Sequence, residues 1–143
     1  MRIAALSLLL GLAGCGPILV IPGGVLDGAA MQAPSDWSFS DQIDTMQLET
    51  RPADPYSVNI WAVGIGASLY VHAGANRASW VEYMEANAQV RVRADGQLYE
   101  LNASRVESQD EFNRFSNAYE SKYGVRPRNE SAAEAYLFRL QAR

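Results

Sequence analysis

His72 is the only histidine and Cys15 the only cysteine of the 143-residue chain, so imidazole and thiolate chemistry each have a single residue to draw on. A lone imidazole can serve as an acid, a base or a haem ligand, or stand as a structural residue at a strand end. A lone cysteine excludes an intrachain disulfide and a thiolate zinc site, both of which need partners from the same chain. The acidic residues are scattered without metal-ligand spacing, and neither a Gly-rich phosphate loop nor a Ser/His/Asp arrangement is present. What remains are residues suited to binding. Arg77 and Trp80 are three apart, where a guanidinium fork and an indole face could clamp a ligand. A solvated first-turn arginine beside a core tryptophan is the alternative this spacing leaves open. The formal net charge of −4 argues against nucleic acid as a partner, since phosphate binding needs a basic face. The length supports one domain with one core.

Cys15 closes a run in which Arg2 supplies a positive start, Ile3 to Leu12 an apolar stretch, and Ala13 and Gly14 the small residues before a cut. The run is far shorter than the roughly 20 apolar residues of a transmembrane helix. A buried free cysteine is the alternative. Leu12-Ala13-Gly14-Cys15 resembles the lipobox of bacterial lipoproteins. The resemblance implies a signal peptide over 1–14 and a Cys15 that carries a diacylglyceryl thioether and an acylated amine. Each buried methylene would contribute roughly 0.8 kcal/mol, and two or more chains give stable anchoring. In that family an aspartate after the cysteine retains the protein at the inner membrane, so Gly16 in its place implies the outer membrane. The expected location is the cell envelope, facing the periplasm.

Residues 15–36 read as a lipidated tether, because Gly and Pro recur around the apolar Ile18-Leu19-Val20-Ile21. The globular domain is expected over 37–143, beginning at Trp37. A first strand is predicted over Thr45 to Glu49, and a firm loop over Arg51 to Pro55. Ser57 to Ile65 is apolar on both faces, with Val58, Ile60 and Ala62 on one and Trp61, Val63 and Ile65 on the other. That pattern predicts a central, buried strand. Leu69 to Ala73 forms its return strand in a hairpin. The period then switches to helical over residues 77–87, with Trp80, Val81 and Met84 on one face. Gln89 to Arg93 and Gln97 to about Val106 flank Asp95-Gly96, a strong type I′ turn signal. Ser108 to Glu111 fits a capping box. The helix behind it carries Phe112, Phe115, Tyr119 and Tyr123 in one stripe, a pattern of core packing, and Gly124 ends it. Residues 133–141 suit a strand or a helix equally. Antiparallel pairs with so few helices predict a small barrel that closes its own edges.

Several of these segments resemble the split-barrel flavin-binding proteins, and more narrowly the deazaflavin-dependent nitroreductase group. Ser57-Val58-Asn59-Ile60-Trp61 is similar to their Thr-Val-Pro-Val-Trp strand, and Leu69-Tyr70-Val71 to their return strand. Trp80 with Asn87-Ala88-Gln89-Val90-Arg91-Val92 is similar to their tryptophan helix running into Asn-Pro-x-Val-x-Val. Ala118 to Gly124 resembles their closing Ala-Tyr-x-x-Lys-Tyr-Gly. The resemblance implies an α+β, mainly β fold: a six-stranded antiparallel split β-barrel with two helices, its last strand in 133–141. It also implies a flavin mononucleotide or deazaflavin groove, often at a homodimer interface. On this chain the groove would be lined by Arg51, Ser57, Asn59, His72, Gly74, Asn76, Arg77 and Trp80. The family's phosphate loop is typically Gly-Arg-Lys-Ser-Gly, whereas here Arg51-Pro52-Ala53-Asp54-Pro55 loses two amide donors to proline and gains a carboxylate.

Two classes of function follow. One is a membrane-anchored lipoprotein whose split-barrel domain binds a small molecule or an envelope partner without catalysis. The other is a flavin- or deazaflavin-dependent reductase of nitro or quinone compounds, in which the cofactor carries the hydride and the protein positions it. A haem-handling variant with His72 as ligand is a third reading.

Overall fold

The computed structural model describes residues 23–143, so Cys15, the signal expected over 1–14 and the apolar run 18–21 lie outside the described residues. Past a short β1 (Ala30–Met31), the chain builds β2 (Met46–Thr50), β3 (Tyr56–Ile60), β4 (Ala62–Ile65) and β5 (Ser68–His72). Helix α1 (Ser79–Ala86), the hairpin β6 (Gln89–Ala94) and β7 (Gln97–Arg105), helix α2 (Gln109–Tyr123) and β8 (Leu137–Ala142) complete it. The ambiguous segment 133–141 is a strand from Leu137 onward, after a turn, with Phe138 and Leu140 buried on one face and Leu137 on the other.

The strands form one curled sheet in the order β3-β2-β6-β7-β8-β5-β4, every pair of that path antiparallel. Its two end strands are halves of a single run, 56–65. The run pairs with β2 before Trp61 and with β5 after it. Counted as one bent strand, it brings the expected six together as a split barrel. The single central strand predicted over this run is therefore two, because the chain changes partners at Trp61.

The two apolar faces of that run serve different cores. Val58, Ile60 and Ala62 point into the barrel with Leu48, Val92 and Leu101. Helix α1 adds Trp80, Val81 and Met84 to the same cluster. Val63 on the outer face packs with Tyr70, Phe112, Phe115 and Leu137, under α2. The helix lies there because its stripe of Phe112, Phe115, Tyr119 and Tyr123 is the only strongly apolar side it has to bury.

Local signals act as physics requires. Asp95 and Gly96 both take positive φ, 49° and 74°, as a type I′ hairpin demands. Ser108 caps α2 by accepting the Glu111 amide at 3.3 Å. The reciprocal half of the capping box is absent. The Glu111 carboxylate instead accepts from the Tyr70 hydroxyl (2.8 Å) and from Arg139 (2.7 Å), tying the helix to the barrel. Burial, reinforced by Glu111, pushes the Tyr70 phenol up to about 12.

The stretch 23–36, the described part of the segment read as a lipidated tether, lies on the sheet. Gly23 exchanges backbone hydrogen bonds with Ser57 at 2.8 and 2.9 Å. Leu26 is buried, and its amide donates to the Glu49 carboxylate at 2.5 Å. Arg91 donates to both Glu49 oxygens and to the Leu26 carbonyl, Arg93 donates to the Asp27 carbonyl, and β1 pairs with β7. Gly and Pro prevent a long strand here, but they leave amides and carbonyls that the β2 and β6 side chains satisfy.

Candidate functional site

The outer face of the 56–65 run explains where a cleft can form. Residues 57, 59, 61, 63 and 65 share this face, by the two-residue alternation of a strand. Gly23 covers Ser57 and α2 covers Val63, which leaves Asn59 and Trp61 between the two covers. Trp61 is 47% exposed, an unusual position for so large an apolar side chain. It stacks on Tyr123 at 4.3 Å and 8° and lies 6.1 Å from Tyr119.

A cleft of about 400 Å³ opens at this gap, walled by Asn59, Trp61, His72, Arg77, Trp80 and Tyr119, with Asn76 at its rim. Strand β5 delivers His72, since Val71 pairs with Ala62 and the next residue on each strand is His72 and Trp61. The segment after β5 delivers Asn76 and Arg77, and α1 delivers Trp80. Five of the eight residues named from the sequence thus meet in one place. Gly74 lines a second cleft that adjoins the first through His72 and Tyr119.

The imidazole of His72 sits among Phe115 (5.6 Å) and Tyr119 (6.1 Å), and its Nε2 is buried without a hydrogen-bond partner. Burial lowers its pKa below the ordinary 6.5, so it is neutral at pH 7. Burial likewise raises the Tyr119 phenol. The imidazole is therefore neutral among aromatic rings, and the charge of the wall is that of Arg77. Arg77 pairs with Glu85 and, at 3.8 Å, with Glu82, and Glu85 also meets Arg105 at 3.5 Å. Trp80 is 8% exposed and packs edge-on to Phe138, so it is a core residue with one edge on the cleft.

Arg51 and Ser57 stand apart from both clefts. The Arg51 guanidinium bonds the Asp54 carbonyl (2.7 Å) and carboxylate (3.1 Å) and lies over the Tyr83 ring. The carboxylate that replaces a cation in this loop has captured the arginine. The Ser57 amide and carbonyl are spent on Gly23.

Trp61 and Tyr119 belong to the cleft although their sequence positions read as packing. Arg126, Arg128 and Asn129 line the second cleft without having drawn attention. The only local signal for them is Arg126-Pro127-Arg128, two cations close together in an acidic chain. A third cleft, of about 230 Å³, includes Glu49, Arg91, Glu100 and Arg143, whose charges pair with one another.

Residues 39–137 match the profile of a family described as "Uncharacterized protein conserved in bacteria (DUF2255)". The chain belongs to this family. No curated protein sequence matches it. Among solved structures, the family member is similar to a candidate 5-nitroimidazole antibiotic resistance protein of Bacteroides thetaiotaomicron. The TM-score is 0.57 at 11% identity, over 86% of this chain and 84% of the other. It is also similar to a candidate pyridoxamine 5'-phosphate oxidase of Listeria innocua, with TM-score 0.54, 16% identity and coverage of 71% and 86%. A FAD-binding protein of Mesorhizobium loti gives TM-score 0.51, 18% identity and coverage of 70% and 81%. These likenesses establish the split-barrel fold.

A flavin can be tested against the residues in place. Its phosphate would need donors and positive charge, yet a carboxylate, Asp54, sits on Arg51, two amides of the loop are lost to Pro52 and Pro55, and the Ser57 amide is bonded to Gly23. The phosphate side that the resemblance assigns to this loop does not fit. Among the described residues the strand edge beyond it has no backbone partner. Asn59 lies two residues from Ser57, so its N–H and C=O occupy the same edge, next to the cleft.

Proposed function

We propose that this family member is a small-molecule-binding module, held at a bacterial membrane by a lipid on Cys15, with its site in the Asn59–Trp61–His72–Tyr119 cleft. One observation carries the binding reading. An exposed tryptophan, stacked on a tyrosine, stands beside a buried imidazole nitrogen that has no partner. A large apolar side chain left in water and a buried polar atom left unpaired are both less favourable than their covered or paired states. A planar ligand with a hydrogen-bonding edge would relieve both.

The chain's own residues supply binding and exclusion of water. Trp61 and Tyr119 offer faces, Asn59 and Asn76 offer amides, and neutral His72 offers one donor and one acceptor. The second reading is a reductase using flavin or deazaflavin, and it is favoured by fold neighbours described as FAD-binding or as an oxidase.

The test is to purify the full chain, record its visible absorption, and titrate flavin mononucleotide, a deazaflavin and haem while following tryptophan emission. Quenching by a planar ligand at micromolar concentration, lost in Trp61→Ala, is the expected result. A yellow protein bleached by a nicotinamide reductant would favour the reductase. Absence of quenching by all three would overturn the binding reading. For the anchor, Cys15→Ala should abolish lipid labelling and leave an unprocessed precursor; a variant that still takes up label removes the anchor from the proposal.

A further inference from the structure

The groove on which the binding reading depends continues past His72. The second cleft, of about 690 Å³, shares His72, Ala73, Asn76 and Tyr119 with the first, so the two form one trough with an aromatic end and a basic end. Among the described residues no carboxylate lines either part, although the chain as a whole is acidic.

The three arginines of the trough are not equivalent. Arg77 is engaged by two glutamates. Arg126 holds Glu120 at 2.6 Å, but both side chains are about half exposed, and such pairs contribute little. Arg128, one turn of loop further, is in no ion pair among the described residues. Its neighbour Asn129 packs so close to Gly74 that a Cβ there would lie 3.3 Å from Asn129 Oδ1, and Gly74 itself has φ of 67°. The loop after α2 is thereby seated against the segment after β5. Arg51, by contrast, lies outside both clefts, on Asp54 and over the Tyr83 ring.

We propose that the trough receives a planar aromatic ring bearing an anionic group, the ring against Trp61 and Tyr119 and the anion at Arg128. Arg126 is free to join by exchanging Glu120, and Asn76 and Asn129 add neutral amides. This rests on the small-molecule reading above and names its ligand class. The anion site thus stands at the 126–129 loop and not at the proline-broken 51–55 loop, which lines neither cleft. A carboxylate, a sulfonate and a phosphate share the chemistry, since each accepts two hydrogen bonds from one guanidinium fork.

Two fluorescent probes with one ring system separate the parts: 8-anilinonaphthalene-1-sulfonate and its uncharged parent N-phenyl-1-naphthylamine. The full chain should bind the sulfonate at least tenfold more tightly. Arg128→Gln should remove about tenfold of sulfonate affinity and leave the neutral probe unchanged, whereas Trp61→Ala should weaken both. Added inorganic phosphate should compete with the sulfonate alone. Equal affinity for both probes, or an Arg128→Gln variant indistinguishable from the parent, overturns the anion site while the binding reading stands. Failure of both probes to bind, or binding of both unaffected by Trp61→Ala, removes the binding reading with it.

Discussion

His72 shows how one side chain can report on its surroundings. Its neutral form is favoured in the folded protein by burial against Phe115 and Tyr119, so its native pKa lies below 6.5. Above that value the imidazole is neutral in both folded and unfolded chains, and it contributes nothing to pH dependence. As the pH falls below 6.5 the unfolded chain takes up the proton first, and stability is lost down to the native pKa. Thermal unfolding of the parent should therefore fall between about pH 7.5 and pH 5.5 more steeply than that of His72→Gln. Parallel curves would assign the slope to other groups. The residue's identity was legible in the sequence, and so was its place at a strand end. Its orphaned nitrogen was not, because the rings that bury it come from α2, more than forty residues later. Arg126 and Arg128 were hidden for the same reason: only the return of the loop after α2 over β5 brings them to the trough. The capture of Arg51 was nearer the surface of the sequence, since Asp54 follows it by three residues.

Among the elements, the 56–65 run decides most of the architecture. Its two-faced apolar pattern matches the inner core through Val58, Ile60 and Ala62 and the outer core through Val63. Trp61 on the outer face is exposed, however, and the two halves end the sheet instead of lying at its centre. The bend at Trp61 left no mark, because alternation continues unbroken through a change of partner. Gly64 holds the second half in place by close approach. A Cβ there would fall 2.6 Å from Trp37 Cβ and against the Trp37 carbonyl oxygen. Trp37 is fully buried, and its amide bonds Gly66 at 2.8 Å, so the backbone cannot yield. Gly64→Ala should cost about 3 kcal/mol, at the upper end for overpacking. Gly24→Ala, whose Cβ would meet only the Pro55 carbonyl oxygen at 3.9 Å, should be near neutral. Urea unfolding of the two variants distinguishes them; equal midpoints would mean that Trp37 moves freely.

At the scale of the molecule, the segment 23–36 belongs to the fold. Its removal would expose the site of Leu26, worth about 2 kcal/mol of apolar burial, and would leave the Glu49 carboxylate, 5% exposed, with Arg91 as its remaining partner. A chain begun at Trp37 should be less stable than one begun at Gly23 by about 3 kcal/mol in urea. Equal stability would reduce the segment to a passive covering. Composition could not foresee this, because Gly and Pro describe what a segment cannot form alone and say nothing of side chains waiting elsewhere to receive it. The same covering bears on how copies of the protein treat one another in a crowded compartment. An unpaired strand edge is a template for another chain, and the bent run has one on each half. Gly23 occupies the first at Ser57. The second is stopped at Ala62, whose amide donates to the Tyr123 hydroxyl (3.1 Å) and whose carbonyl accepts from the Lys122 ammonium (2.7 Å). At these two points a stray strand finds the ladder already occupied, which guards a marginal β-fold against edge-to-edge aggregation.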